Sequence, residues 1–258
     1  MDYRLTDEQA DPPGQTDAFY TEKLVRLPRS FFCYRPPEGA PPINSLPART
    51  AGQITFGSFN SFNKTTPHVF ATWMQILKRV PGSRLVVLAF CGEYLERRLK
   101  DLAEQHGVER ERVIPCARRP IDQYLRLIQQ TDVALDPVPF TGHTTTCDSI
   151  WMGVPVVMLA GETYASRFGG SVLANVGLED LITHSVEQYV ETAVELAGAL
   201  DRLAQLRSEL RPRMAASALM DFAGFTRNVE AAYRQMWHSY CSQGAATRAA
   251  EQPPRSNG

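Results

Sequence analysis

Thr144 and Thr145, with Asp148 following at helical spacing, are the residues of this chain best placed to do chemistry. They lie in the stretch Asp136-Pro-Val-Pro-Phe-Thr-Gly-His-Thr-Thr-Thr-Cys-Asp148. The first turn of a helix exposes unpaired N–H groups and the positive end of the macrodipole, and threonine hydroxyls add donors, so this end suits a phosphate. Asp148 falls on the same helix face, where its carboxylate can accept hydrogen bonds from the vicinal hydroxyls of a sugar. Phosphate donors beside a hydroxyl acceptor describe a nucleotide-sugar site. An ATP site is disfavoured because the chain has no G-x-x-x-x-G-K-[ST] run. Taken alone, the same residues also serve as an N-cap and as ordinary compensation of the helix dipole.

These groups need elements to hold them. The pattern predicts a buried strand at Val133 to Asp136, a Pro/Gly loop, a helix opened by Thr144-Thr145-Thr146, and a second buried strand from Val154 to Leu159. Upstream, strands are expected at Ile54–Phe59, Leu85–Phe90 and 112–115. Helices are expected from Pro67 to Val80, Tyr94 to His106 and Ile121 to Gln130. Downstream come a helix near Arg167 to Asn175, a short strand around Asp180 to Ile182 and one long helix from Val186 to about Arg211. Repeated β-α units with apolar strands predict an α/β fold, a doubly wound parallel sheet of Rossmann-like type. The loops after Phe59, Pro115 and Asp136 should then share the carboxyl edge, where such sheets bind ligands. No G-x-G-x-x-G follows the first clear strand, which argues against a dinucleotide-binding dehydrogenase.

Residues 1–50, interrupted by Pro12-Pro13-Gly14, Pro36-Pro37 and Pro41-Pro42, read as an extended connector with a short helix near Phe19 to Leu27. A nucleotide-sugar-binding lobe is expected over 51–220 and a carboxyl-terminal helix over 221–242. That helix carries Phe225, Val229, Ala232, Tyr233, Met236, Trp237 and Tyr240 on one apolar face, which needs a partner surface. Residues 243–258 read as a disordered tail.

Composition narrows the function classes. The 258 residues are 43% hydrophobic and 21% charged with a net charge of −1, enough for a substantial core but without the basic stripe that nucleic acid requires. No apolar run is long enough to span a bilayer, and the acidic start, Met-Asp-Tyr-Arg-Leu-Thr-Asp-Glu, does not resemble a signal peptide, so a cytoplasmic location is expected. The five cysteines (Cys33, Cys91, Cys116, Cys147, Cys241) form no C-x-x-C pair and the five histidines no cluster; reduced thiols and no metal site are expected.

A further set of motifs is spread through the chain: Asp2-Tyr3-Arg4-Leu5-Thr6-Asp7, Arg26-Leu27-Pro28 with Cys33-Tyr34, Phe56-Gly57-Ser58-Phe59-Asn60 with Lys64-Thr65-Thr66-Pro67, Gly142 to Asp148, Met152-Gly153-Val154-Pro155, and Tyr233-Arg234-Gln235-Met236-Trp237. Together, over roughly residues 2–241, they resemble the protein O-GlcNAc transferase / SPINDLY family of inverting glycosyltransferases. The resemblance implies a GT-B enzyme of two Rossmann-like lobes, of which this chain looks like the carboxyl-terminal, donor-binding lobe with the trailing end of the amino-terminal lobe. The rest of that lobe and tetratricopeptide repeats are expected in a full-length relative. It also implies transfer of GlcNAc from UDP-GlcNAc to Ser/Thr hydroxyls of proteins without metal or cofactor. The alternatives are GDP-fucose as donor, as in plant SPINDLY, and a donor-binding fragment without turnover of its own.

Residue by residue, Lys64 resembles the family lysine that pairs with the donor diphosphate, where an ammonium stabilises the charge that grows on the leaving nucleotide. Thr144 and Thr145 match the phosphate-contacting threonines, with backbone donors around Gly142 and His143, and Asp148 matches the carboxylate that holds the ribose. Asn60 aligns with a residue near the sugar-phosphate, although an Asn that stabilises a turn accounts for it equally well. His143 sits on the donor side and is not read as a catalytic base. Glu162 and Arg167 match a loop supporting the cleft, with a solvated ion pair as the alternative. Four positions depart from the O-GlcNAc transferase pattern: Ser61 replaces a glutamine beside the donor, Ile121 a ribose-contacting lysine, Tyr124 a histidine near the base and Leu127 an arginine. Tyr124 can still stack on a base. The choice between UDP and GDP stays open on these residues.

Overall fold

The computed structural model describes residues 1–89 and 92–250, with side chains through Ser242. Near the amino terminus β1 (Tyr3–Thr6) and β2 (Lys23–Arg26) pair in parallel, with Leu5 opposite Val25. The helix expected near Phe19 to Leu27 is therefore corrected to a single 3-10 turn at Asp17–Phe19 followed by a strand. So short a segment has no decisive period of its own, and the partner strand decides its conformation. Asp7 fastens this small sheet to the main body, accepting hydrogen bonds from Phe31 N at 3.1 Å and from Ser171 Oγ at 2.5 Å. The chain then crosses the body in extended form to α1 (Pro47–Ala51).

The body alternates strand and helix as far as β8 and ends in three helices: β3 (Thr55–Ser58), α2 (Pro67–Arg79), β4 (Arg84–Leu88), α3 (Glu93–Gln105), β5 (Val113–Cys116), α4 (Ile121–Gln129), β6 (Val133–Leu135), α5 (Thr144–Trp151), β7 (Val156–Leu159), α6 (Phe168–Asn175), β8 (Ile182–Thr183), α7 (Val186–Gly198), α8 (Leu200–Ala215) and α9 (Phe222–Ala250). The strands from β3 onward form one parallel sheet in the order β5-β4-β3-β6-β7-β8. Helices cover both faces, so Phe56, Leu85, Val133 and Val157 are wholly buried and the strands read as continuous apolar runs. The sequence order of the strands reverses between β3 and β6, and the crevice of a doubly wound sheet opens at the carboxyl ends of that pair.

Local chemistry sets the helices that frame this crevice. In α2, Pro67 occupies the first turn and the Thr66 hydroxyl accepts from Val69 N at 3.2 Å, while Val69, Phe70, Trp73, Ile76 and Leu77 bury one face. Between α5 and β7, Gly153 adopts φ +76°, and a Cβ there would lie 2.6 Å from Arg207 O, so only glycine makes this turn. Arg207 is itself 2% exposed, and its guanidinium donates to Gln129 O at the end of α4, to Thr131 O just past it and to Asn44, tying the extended crossing to the sheet.

The expected single helix from Val186 to Arg211 is corrected to two, α7 and α8. The break falls at Ala199 (φ −98°, ψ 66°) directly after Gly198, the residue type that holds a helix least well. At the other end α9 continues as helical backbone to Ala250, beyond the expected boundary at 242. The remainder of the expected tail, 251–258, and the expected strand end at Phe90 with Cys91 lie outside the described residues. Tyr233, Trp237 and Tyr240 on α9 are 59–65% exposed, so three of the seven residues of the expected apolar face have no cover among the described residues, while Ala232 is buried and Phe225, Val229 and Met236 are half-buried. Among the described residues no helix is long and apolar enough to cross a membrane.

Candidate functional site

Two loops meet at the crevice, one leaving β3 and one leaving β6, and Asn60 links them. This residue is 6% exposed; its Nδ2 donates to Asp136 Oδ1 at 2.8 Å, and its Oδ1 accepts from Lys64 Nζ at 3.3 Å and Thr145 Oγ1 at 3.1 Å. Lys64, at the end of a 3-10 turn begun by the carbonyl of Ser61, also reaches Thr141 O at 3.5 Å and lies 4.0 Å from the centre of the Phe140 ring. Cation–π contact and carbonyl oxygens hold the ammonium, which makes no close salt bridge among the described residues. Burial lowers its pKa, and the charge of Asp136 opposes that shift.

Asp136 organises the second loop. Its Oδ1 accepts from Gly142 N at 2.9 Å as well as from Asn60, its Oδ2 accepts from Thr146 Oγ1 at 3.3 Å, and its main-chain oxygen accepts from the Tyr189 hydroxyl at 3.1 Å. Burial pushes the Asp136 carboxyl up to about 6 against the pull of those donors and of Lys64. Gly142 passes so close that a Cβ would meet Asp136 Oδ1 and Thr145 Oγ1 at 2.7 Å each. The loop therefore delivers α5 with its amino end beside Lys64. Thr144 is exposed there, Thr145 half-buried, and Thr146 buried on the carboxylate. Unpaired N–H groups, one ammonium and an accessible threonine hydroxyl make an electropositive rim that suits a diphosphate.

Asp148 lies deeper on α5, 5% exposed, where it accepts a 2.6 Å hydrogen bond from the Tyr34 hydroxyl. Burial raises its pKa and the bond from Tyr34 opposes the shift. The half-buried Tyr124 packs edge-on to Phe59 with ring centres 6.1 Å apart, and its hydroxyl is buried beside the Asp148 carboxylate. Burial and the nearby Asp148 charge raise the pKa of that phenol. His143 sits among Phe32, Phe168 and Phe31, with ring centres 3.9, 5.3 and 5.6 Å away. Burial, followed by the charge of Lys64, lowers its pKa and so favours the neutral imidazole, with Asp7 opposing the shift.

Asn60, Lys64, Gly142, Thr144 and Thr145 thus come together at one mouth. Ser61 is half-buried in the turn leading to Lys64, and Asp148 and Tyr124 form a second group deeper along α5. Leu127 is 6% exposed and belongs to the core, whereas Ile121 is 51% exposed at the start of α4. The solvated ion pair considered for Glu162 and Arg167 is not made. Arg167 Nε instead donates to Gly161 O at 2.7 Å, closing the loop on itself. Three participants were given no role of their own from sequence: Asp136, Phe140 and Tyr34. Asp136 had a usable signal, being the residue at the carboxyl end of the strand beside the switch point. The other two act through contacts that no local pattern encodes.

Comparison with known proteins identifies the family. A SPINDLY protein of Solanum lycopersicum, described as a probable UDP-N-acetylglucosamine–peptide N-acetylglucosaminyltransferase, is 44% identical over 245 residues, covering 93% of this chain and 26% of that protein. The SEC protein of Arabidopsis thaliana, described in the same terms, is 35% identical over 251 residues with 94% and 26% covered. Among solved structures, an O-GlcNAc transferase variant of Thermobaculum terrenum superposes with a TM-score of 0.86 at 36% identity, covering 95% of this chain and 46% of that one. The chain spans about a quarter of the length of these curated relatives. With the glycosyl transferase family 41 model matching residues 45–229, the chain belongs to glycosyl transferase family 41.

Proposed function

We propose that this chain is the donor-binding half of an inverting protein O-glycosyltransferase, and that it holds a nucleotide sugar by its diphosphate between Lys64 and the amino end of α5. The observation that carries this is the convergence of Lys64 Nζ and Thr145 Oγ1 on the single oxygen Asn60 Oδ1, at 3.3 and 3.1 Å, beside the exposed Thr144. Two segments far apart in sequence bring their phosphate-seeking groups to one point. As the glycosidic bond breaks, the departing nucleoside diphosphate gains negative charge. A fixed ammonium and a helix dipole stabilise that charge more in the transition state than in the ground state. In this arrangement they take the place that a divalent ion can have at a diphosphate. Asp148 then receives the ribose hydroxyls, and the acceptor is a Ser or Thr hydroxyl of a protein.

UDP-GlcNAc is the donor favoured by the wording of the relatives' descriptions, with GDP-fucose as the alternative. The quarter-length match favours binding without turnover by the chain alone, with transfer belonging to a longer polypeptide. Thermal unfolding in the presence of UDP and of GDP tests the donor site, because a ligand specific to the folded state raises the melting temperature by mass action. One nucleotide is expected to shift the melt more than the other. No shift with either at millimolar concentration refutes the donor-site assignment.

A further inference from the structure

A segment that precedes the sheet reaches into the nucleoside end of the crevice. Around residues 31–34 the chain runs along α5, with the Phe32 ring 3.9 Å from His143 and the Tyr34 hydroxyl 2.6 Å from Asp148 Oδ1. Tyr34 is 6% exposed and its own backbone is anchored, N to Leu219 O at 2.7 Å, so the reach of its phenol is set by the fold. A buried carboxylate needs donors to keep its charge, and a short O–H···O⁻ bond is among the strongest available. A carboxylate has room for about four donors, and Tyr34 takes one lone pair of Oδ1, leaving capacity for a ligand. The Tyr124 hydroxyl is buried beside the same carboxylate, favours its ionised form, and can both donate and accept. A ligand hydroxyl that donates to Asp148 and accepts from Tyr124 satisfies both groups at once.

We propose that Tyr34 is a positioning residue of the donor site: its hydroxyl aims the Asp148 carboxylate at the ribose of a bound nucleoside diphosphate, which makes the amino-terminal segment part of the nucleoside subsite. This rests on the donor site proposed above. Tyr34 touches no substrate; it acts through Asp148, and removing its oxygen leaves the diphosphate end of the crevice unchanged.

Calorimetric titration of the whole 258-residue chain with UDP, GDP and inorganic diphosphate separates the possibilities. In Tyr34→Phe the affinity for the nucleotide that wild type prefers is expected to fall about tenfold, the usual cost of losing a hydrogen bond to a charged group, with inorganic diphosphate bound as before. Because Tyr34 works through Asp148, adding Tyr34→Phe to Asp148→Asn is expected to cost nothing further. Equal losses for nucleotide and inorganic diphosphate, no loss of nucleotide affinity, or additive effects of the two substitutions overturn the proposal. If wild type binds neither nucleotide, the donor site fails and this role with it. If wild type binds and Tyr34→Phe binds equally well, only the role of Tyr34 fails. Should Tyr34→Phe not fold, a structure of the wild-type chain with bound nucleotide decides instead: the bond from Tyr34 to Asp148 must persist, and its displacement by the ligand overturns the proposal.

Discussion

Asp136 is a carboxylate under two opposing pressures, and changing pH on an Asp136→Asn variant separates them. At 3% exposure the cost of burying its charge raises the carboxyl from an ordinary 3.8 to about 6, although Gly142 N, Asn60, Thr146 and Lys64 all favour the ionised form. Below 3.8 both folded and unfolded chains hold the proton, and the favourable contribution is complete. Between 3.8 and about 6 the unfolded chain releases its proton first, so stability drains away as pH rises; above about 6 the loss is complete. A shift of that size corresponds to about 3 kcal/mol, since each unit is roughly 1.4 kcal/mol. Asparagine cannot titrate. Urea unfolding of wild type and Asp136→Asn from about pH 4 to about pH 7 is therefore expected to show the variant gaining about 2 kcal/mol relative to wild type. The same substitution loosens the grip on Asn60, so nucleotide affinity at neutral pH is expected to fall even as relative stability improves. A stability difference that stays flat, or that moves against the variant as pH rises, refutes the reasoning. The second outcome means that the donors outweigh burial and hold the carboxyl below its ordinary value.

Lys64→Ala is expected to weaken binding of the preferred nucleoside diphosphate at least tenfold, by loss of a charge-assisted contact, in the same calorimetric assay. Unchanged affinity removes Lys64 from the site. Gly142→Ala forces a methyl group against Asp136 Oδ1 and Thr145 Oγ1 and is expected to destabilise the fold by about 1–3 kcal/mol, measured by urea unfolding. A variant as stable as wild type shows that the loop can give way. Tyr189→Phe removes the bond to Asp136 O and leaves the buried Trp73 Nε1 without its 3.1 Å partner. A loss of about 1–3 kcal/mol is expected in the same measurement, and a neutral result shows that water replaces the hydroxyl.

What could be read from sequence divides along the range of the interactions involved. The parallel sheet was legible because strands covered on both faces must be apolar throughout, so runs such as Leu85-Val-Val-Leu and Val156-Val-Met-Leu advertise themselves locally. The amino end of α5 was legible for the same reason: Gly142, His143 and the three threonines form one continuous run. Strand β2 was misread as part of a helix because Lys-Leu-Val-Arg becomes a strand only against β1, and the break at Ala199 was missed because a single Gly198 is a weak signal within a long periodic stretch. The inner part of the site depends on pairs remote in the chain. Asn60 meets Asp136 across 76 positions and Tyr34 meets Asp148 across 114. Each pairing has a local stand-in that satisfies sequence reasoning, a turn asparagine for the first and dipole compensation for the second. Once folded, those alternatives separate. An asparagine that only stabilised its turn would bond to its neighbours in that turn, whereas the Asn60 amide is shared among Lys64, Thr145 and Asp136. An aspartate that only compensated a dipole would sit at the solvent-facing start of α5 rather than buried against a phenol from the other end of the chain. Burial of that kind costs stability unless hydrogen bonds offset it, and the Tyr34 hydroxyl supplies one of them.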